Sequence, residues 1–276
     1  MGFVELLKKR AKESVKTIVL PETEDMRTLE ATDKILKEGV AKIILIGNEE
    51  EINKKAAEGG FDISGAQIVD PEKSDRTQAY IDKFVELRAK KGMTPEKAKE
   101  ILHTQYPYYG VMMVKMGDAD GMVSGACHST ADTLRPCLQI LKTKPGTKLV
   151  SAFFVMVVPD CDMGENGTFV FADCGLNQNP TSEELAAIAQ SSAESFKQLV
   201  GADPRVAMLS YSTMGSAKHD DVTKVQEAVK IAKAENPDLM LDGEMQLDAA
   251  LVPSVGAAKA PGSQVAGKAN TLIFPN

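Results

Sequence analysis

The sequence predicts an α/β protein of two domains, each built around a mainly parallel sheet. Three observations lead to this prediction. Short apolar runs alternate with segments of helical periodicity along nearly the whole chain. The length of 276 residues, with 43% hydrophobic and 26% charged residues, suits one large or two modest globular domains. A polar segment centred on Pro145 and Gly146 separates the alternating strands and helices before it from two long apolar runs after it. This segment predicts a domain boundary, with domains at residues 1–147 and 148–276.

In the first domain, apolar runs that end at Pro, Gly or Asp predict strands. They lie at residues 17–20, 42–46, 67–69 and 121–124. Helical patterns separate them, at residues 24–37, 49–57, 75–90, 95–102, 106–115 and 129–141. Because strands joined through helices run parallel, this alternation predicts a parallel sheet with helices on both faces.

The second domain begins with two apolar runs, 149–158 and 168–172, whose connection predicts an antiparallel hairpin. Alternation then resumes, with helices predicted at 182–200, 220–234 and 245–251 and strands at 206–211, 239–242 and 271–274. The Gly- and Ala-rich segment 256–267 predicts a loop in close backbone contact with its surroundings. A buried parallel strand needs helices on its faces, so the last strand predicts a covering segment missing after Asn276.

Charge and targeting features exclude several classes of function. A net charge of -7, without a basic block, argues against a nucleic-acid partner. No apolar stretch reaches the length of a membrane span, so no membrane partner is expected. The first ten residues predict an amphipathic helix with charges inside it and not a secretory leader. We therefore expect a cytoplasmic protein.

The cysteines lie at positions 127, 137, 161 and 174, without a CxxC pair and without clustered His. This spacing predicts reduced thiols and no metal site. Cys127 could be a nucleophile, but a small buried residue is the simpler interpretation.

The segment 120–136 predicts a phosphate or phosphoryl-group site. A short strand leads through Gly125 into small and hydroxylated residues, and then into a helix that carries Ser129, Thr130 and Arg135. Backbone N–H groups and the positive end of a helix dipole converge at such a turn, and a guanidinium further along can bind a phosphate oxygen. Two other interpretations stay open. Ser129 with Asp132 is also an ordinary capping pattern, and Arg135, in an apolar context, could form a structural ion pair.

Three other polar groups have less specific patterns. By spacing alone, Arg88 is a solvated residue near the end of a helix. The segment 210–216 is either a second polar site or a loop with a helix cap. Glu244 and Asp248 are predicted on one helical face, where they could act in acid–base chemistry or pair with lysines such as Lys259.

Five long motifs resemble those of one enzyme family: GACHSTADTLRP (125–136), ADCGLNQNPT (172–181), LSYSTMGS (209–216), DGEMQLDAAL (242–251) and PGSQVAGKANTLIFP (261–275). Over essentially its whole length, the chain resembles phosphate acetyltransferases (phosphotransacetylases) of the phosphate acetyl/butyryltransferase family. The resemblance implies an acyltransferase that interconverts acetyl-CoA plus phosphate with acetyl phosphate plus coenzyme A. It also implies a fold like that of isocitrate and isopropylmalate dehydrogenases, with an interdomain cleft, and a homodimer. No cofactor is implied, since coenzyme A is a substrate.

The same resemblance assigns roles to individual residues. Ser129, Thr130 and Arg135 correspond to the residues that hold the phosphate end of acetyl phosphate, and Arg88 to a second arginine of the active site. Arg135 and Arg88 are the implied catalytic residues, which neutralise the leaving phosphate while the coenzyme A thiolate attacks directly in a ternary complex. The family's Ser-Arg pair and its general-base Asp have no counterpart before Asn276.

The activity of the 276-residue chain is therefore open at this stage. The alternatives are an enzyme that prefers butyryl groups and a non-catalytic protein that binds phosphate or acyl phosphate.

Overall fold

The computed structural model describes residues 2–276 and divides into two compact units. The first unit ends at Lys142, and the second runs from Thr143 to Asn276. The predicted α/β class and the mainly parallel sheets are confirmed. The domain limits derived from the sequence, 1–147 and 148–276, stay predictions.

The first unit contains a parallel sheet with helices packed on it. Its strands are β1 (Lys16–Leu20), β2 (Ala41–Ile46), β3 (Gln67–Val69) and β4 (Gly121–Met122). They lie in the order β3-β2-β1-β4, and every pair is parallel. The helices are α1 (Phe3–Glu13), α2 (Met26–Glu38), α3 (Glu49–Gly59), α4 (Thr77–Arg88), α5 (Pro95–Thr104), α6 (Tyr106–Met116) and α7 (Thr130–Ile140).

The core of this unit lies on both faces of the sheet, because successive side chains of a strand point to opposite sides. In β2, Ile43 and Leu45 join one buried apolar cluster with Leu29 of α2. Ile44 and Ile46 join another, which contains residues of α4, α5 and α6. Both faces of the sheet are thus covered, as the continuous apolar run of β2 predicts.

Side-chain caps set the start of four helices in this unit, α2, α3, α5 and α7. The Asn48 side chain accepts hydrogen bonds from the backbone N–H groups of Glu50 and Glu51, at the start of α3. Thr94 caps α5, and Pro95 occupies the first turn, as its position in the sequence predicts.

The second unit contains a mixed sheet. Its strands are β5 (Phe153–Val157), β6 (Thr168–Ala172), β7 (Val206–Leu209), β8 (Leu241–Met245) and β9 (Thr271–Ile273). They lie in the order β5-β6-β9-β7-β8. The pair β5–β6 is antiparallel, which confirms the predicted hairpin, and the other pairs are parallel. The helices are α8 (Ser182–Val200), α9 (Asp220–Glu235), α10 (Leu247–Leu251) and α11 (Pro253–Lys259).

Two predictions for this unit are wrong. Residues 245–251 are not one helix, because the pairing of β8 with β7 continues to Met245, opposite Leu209. Glu244 therefore lies in a strand, and does not share a helical face with Asp248. Part of the segment predicted as a loop is helix α11, which begins at Pro253. The predicted close approach is nevertheless present, since a Cβ at Gly256 would lie 2.6 Å from the backbone nitrogen of Gly267.

All four cysteines are free thiols, as predicted, but Cys127 is exposed, so its interpretation as a small buried residue is wrong. Among the helices that the structure describes, none combines the length and the apolar character that a bilayer crossing requires.

Candidate active site

One buried carboxylate, that of Glu22, holds the loop between β4 and α7 by hydrogen bonds to its backbone. Glu22 follows β1, and its side chain is 3% exposed. One carboxylate oxygen accepts hydrogen bonds from the backbone N–H groups of Gly125 (2.6 Å) and Ala126 (2.8 Å). The other accepts from the N–H groups of Cys127 (3.0 Å) and His128 (2.9 Å) and from the His128 imidazole (2.9 Å). The carboxylate therefore occupies a concavity of backbone donors, the kind that binds anions.

The charge of Glu22 is stabilised in this position. Burial by itself would raise the pKa of Glu22, but the hydrogen bonds from the N–H groups of Cys127, Ala126 and His128 and from the imidazole hold it well below its usual range. The sequence predicts that the backbone N–H groups of this turn bind a phosphate. This part of the prediction is wrong for residues 125–128, because their N–H groups already donate hydrogen bonds to the Glu22 carboxylate.

Two of the predicted polar residues, Ser129 and Thr130, lie at the start of α7, and Arg135 lies further along it. Ser129 is the N-cap, and its hydroxyl accepts the Asp132 N–H and donates to the Asp132 carboxylate at 2.6 Å. The other oxygen of Asp132 pairs with the Arg135 guanidinium at 3.2 Å. Thr130 is the first helical residue and is exposed. The capping and ion-pair interpretations are thus both realised.

Arg135 is not buried, although its apolar neighbours in the sequence suggested it. Its side chain is 55% exposed, because the buried stripe of α7 is formed by Pro136 and Ile140 and Arg135 lies beside it. An exposed ion pair with Asp132 adds little stability, so its guanidinium remains accessible to a ligand.

The charges of Arg88 and Arg135 both influence the pKa of Tyr108, which lies on the neighbouring helix α6. Burial raises the pKa of Tyr108, and the positive charges of Arg135 and Arg88 oppose that shift. The Tyr108 hydroxyl donates to Gln139 of α7 at 3.3 Å. Arg88 is the last residue of α4, and its Nε is buried without a hydrogen-bond partner among residues 2–276. An unpaired buried donor of a guanidinium is costly, and an anionic ligand would satisfy it.

The motif at 210–216 in the second unit is a loop held by a carboxylate. Glu244, which is 1% exposed, accepts hydrogen bonds from the Ser212 hydroxyl at 2.7 Å and from the Gly215 N–H at 2.8 Å. Burial would raise the pKa of Glu244, but these hydrogen bonds hold it below its usual value. The sequence leaves two alternatives for segment 210–216, a polar site or a structural loop. The hydroxyl of Ser212 belongs to the structural loop, because it donates to the buried Glu244 carboxylate.

Asp173 plays the same part after β6. Its carboxylate accepts hydrogen bonds from the N–H groups of Ala152, Leu176 and Asn177. The sequence analysis identified neither Glu22 nor Asp173 as important. The available signal is an acidic residue one or two positions after a buried strand, which indicates a carboxylate at the carboxyl edge of the sheet.

Comparison with known proteins gives a consistent result over the whole chain. A family model described as phosphate acetyl/butaryl transferase matches residues 2–276. A phosphate acetyltransferase of Acetivibrio thermocellus is 57% identical over 276 residues, which are 100% of this chain and 82% of that protein.

Two solved structures are also similar. The EutD phosphotransacetylase of Staphylococcus aureus is 43% identical, with a TM-score of 0.91 over 99% of this chain and 82% of that one. A phosphotransacetylase of Streptococcus pyogenes is 45% identical, with a TM-score of 0.91 over 99% of this chain and 81% of that one. The fold and the motifs thus define an acyl-transferring enzyme. The chain belongs to the phosphate acetyl/butaryl transferase family.

Proposed function

We propose that this chain interconverts acetyl-CoA plus orthophosphate with acetyl phosphate plus coenzyme A, and that Ser129, Thr130, Arg135 and Arg88 bind the phosphate end. Family membership and the relatives named phosphate acetyltransferase support the reaction. The assignment of these four residues rests on the geometry of the first unit.

The observation that carries the assignment is that two arginines lie on α4 and α7, helices that contact each other and the helix α6 that carries Tyr108. Arg135 is exposed, and Arg88 has a buried donor without a partner among the described residues. Both guanidinium groups lie close enough to shift the pKa of one hydroxyl. Two cations in one region oppose each other unless an anion lies between or beside them, and a phosphate group with several oxygens suits both.

These residues would stabilise the charge that develops on phosphate. The coenzyme A thiolate attacks the acetyl carbonyl carbon, a C–S bond forms, and the C–O bond to phosphate breaks with its electron pair on the leaving phosphate oxygen. Arg135 and Arg88 neutralise that oxygen, and Ser129 with Thr130 orients the group at the positive end of the α7 dipole. When phosphate binds, Arg135 must exchange its ion pair with Asp132 for the ligand.

The setting of the enzyme belongs to the same proposal. Small-molecule substrates account for the site, so we propose that the protein has no nucleic-acid or membrane partner. As in the sequence analysis, we also propose a cytoplasmic location and a homodimer. The net charge of -7 supports the first of these, because it disfavours a polyanion.

The test is thioester formation from acetyl phosphate and coenzyme A by the purified protein, followed in parallel with phosphate binding by calorimetry. Arg135→Ala and Arg88→Ala should each lower kcat/KM by about 10²–10³-fold, as the loss of a donor to a developing oxyanion does. Arg10→Ala, on the exposed face of α1, is the matched control and should behave like the wild type.

Equal kcat/KM in all variants would refute the assignment of the arginines. Phosphate binding without thioester formation would instead favour the non-catalytic alternative, and faster turnover of butyryl phosphate would favour the butyryl alternative.

A further inference from the structure

Four donor atoms of types that bind transition metals lie around Cys127 in the first unit. The Cys127 Sγ is 3.6 Å from His128 Nδ1 and 3.6 Å from a Glu22 carboxylate oxygen. The thiol also donates to a carboxylate oxygen of Glu24 at 3.4 Å. His128 Nδ1 and the Glu22 oxygen are 2.9 Å apart. The thiol, the imidazole and the Glu22 carboxylate therefore have donor atoms within 4.8 Å of one another, and the Glu24 carboxylate contacts the thiol alone.

These separations match a tetrahedral zinc site. Zn–S bonds of about 2.3 Å and Zn–N or Zn–O bonds of about 2.0–2.1 Å place neighbouring donors about 3.3–3.6 Å apart. The three distances from the Cys127 Sγ are 3.6, 3.6 and 3.4 Å, close to these values. The distance between His128 Nδ1 and Glu22 is shorter because a hydrogen bond now joins them, and it would lengthen when a metal replaces that proton.

The charges around the cluster favour a cation. The Glu22 side chain is buried, and among residues 2–276 no lysine or arginine forms an ion pair with Glu24. The nearby Arg27 is committed elsewhere, because it pairs with Asp25 at 2.6 Å and donates to the Ala126 carbonyl. Two carboxylates beside the thiol thus produce a negative field that favours a divalent cation.

A cavity gives access to the cluster and supplies an independent indication of a ligand. Its volume is about 400 Å³, and Glu24, His128 and His103 contribute to its wall. It lies after β1 and β2, where Thr23 and Gly47 also line it. The Nε2 of His103 is buried without a hydrogen-bond partner in the described part of the chain. His103 thus brings an unsatisfied polar atom to the wall of this cavity, which a bound ligand or an ordered water would satisfy.

We propose that the first unit carries a site for a thiophilic divalent cation such as Zn²⁺, with Cys127 Sγ, His128 Nδ1 and a Glu22 carboxylate oxygen as ligands. The exposed side chain of Glu24, which already contacts the thiol, would turn toward the cation as the fourth ligand. On binding, the thiol releases its proton to solvent, and the imidazole proton moves from Nδ1 to Nε2. The cation then bonds to a thiolate and a neutral imidazole, the ligand forms that zinc requires. None of these ligands is among the four residues proposed to bind phosphate.

The prediction of no metal site considered only residues close in the sequence. Glu22 is 105 residues from Cys127. The local spacing of cysteines and histidines could not contain this set of donors.

Cobalt titration of the chelator-treated protein tests the proposal. Co²⁺ should bind once per chain, with a thiolate-to-cobalt charge-transfer band and the visible d–d bands of a tetrahedral site, and Zn²⁺ should displace it. Calorimetry in buffers of different ionisation enthalpy should show about one proton released per metal at neutral pH.

Variants identify the ligands. Cys127→Ser should abolish the charge-transfer band, and Glu24→Gln should weaken zinc binding by at least about tenfold, as loss of a metal-site carboxylate partner does. Cys137→Ser is the matched control, since the Cys137 thiol donates to the Thr133 carbonyl of its own helix and should not affect binding. Circular dichroism of each apo variant verifies its fold.

A wild-type protein without the charge-transfer band, or a folded Cys127→Ser variant that keeps it, would overturn the proposal. None of these readouts depends on acetyl transfer, so the proposal can fail while the proposed function stands.

Discussion

Replacing Glu22 by glutamine should loosen the loop that leads into α7. The carboxylate accepts four backbone N–H groups, those of residues 125–128, and the His128 imidazole. The glutamine amide has nearly the same shape but offers only one acceptor oxygen. Its NH₂ group would face either the donors of Gly125 and Ala126 or those of Cys127 and His128.

The size of the effect follows from the number of donors left unpaired. An unsatisfied buried donor costs about 1–3 kcal/mol, and two are left in either orientation of the amide. Loss of the negative charge also weakens the remaining hydrogen bonds, since charge-assisted bonds are roughly twice as strong as neutral ones. Part of this is recovered by water that enters the loosened loop. We expect the free energy of local opening to fall by about 3 kcal/mol, which corresponds to about a hundredfold in the opening equilibrium.

Hydrogen exchange of the backbone amides of residues 125–128 measures that equilibrium directly. Glu22→Gln should lower their protection about a hundredfold while leaving the amides of β2 unchanged. Glu24→Gln is the control, because Glu24 is exposed and contacts only the side chain of Cys127 in this loop. Wild-type protection of residues 125–128 in Glu22→Gln would refute the view that this carboxylate holds the loop.

Two further predictions concern stability. Gly256→Ala should lower the thermal midpoint and reduce the free energy of unfolding by about 2 kcal/mol or more. The reason is that the new Cβ would lie 2.6 Å from Gly267 N and 2.9 Å from Ala249 O. Ala257→Ser, at an exposed neighbouring position, is the control and should leave the midpoint unchanged. The pKa values of Glu22, Glu244 and Asp173 lie below their ordinary values of 4.5, 4.5 and 3.8, so the folded state binds fewer protons than the unfolded state. Their contribution is complete above those ordinary values and is lost as the pH falls below them, so the thermal midpoint should drop between about pH 5 and pH 3; a constant midpoint there would contradict the assignment.

Local patterns were sufficient for most secondary structure. The predicted strand 67–69 and helix 182–200 agree with β3 and α8 at both ends, because strong periodicity and flanking turn residues define them. The limits of β8 were wrong for a physical reason. Residues 245–251 have helical periodicity, but Met245 pairs across the sheet with Leu209, and that long-range pairing overrides the local pattern.

The candidate site was predicted in part. Ser129 as a helix cap was visible in the sequence because the interaction with Asp132 spans only three residues. The exposure of Arg135 could not be predicted from the sequence, because the direction in which a helix face points depends on what packs against it. The relation of Arg88 and Arg135 to Tyr108 required three helices, α4, α6 and α7, to be placed together.

The sequence by itself determined the α/β class, the order of the elements and the family, because periodicity, caps and long motifs are properties of neighbouring residues. Only the tertiary structure decided that Glu22 fills the turn before α7 and joins the donor cluster of Cys127. These contacts span more than a hundred residues. Their main partners are backbone N–H groups, which nearly every residue carries, so the sequence can mark Glu22 as an acidic residue after a strand but cannot indicate which donors it binds.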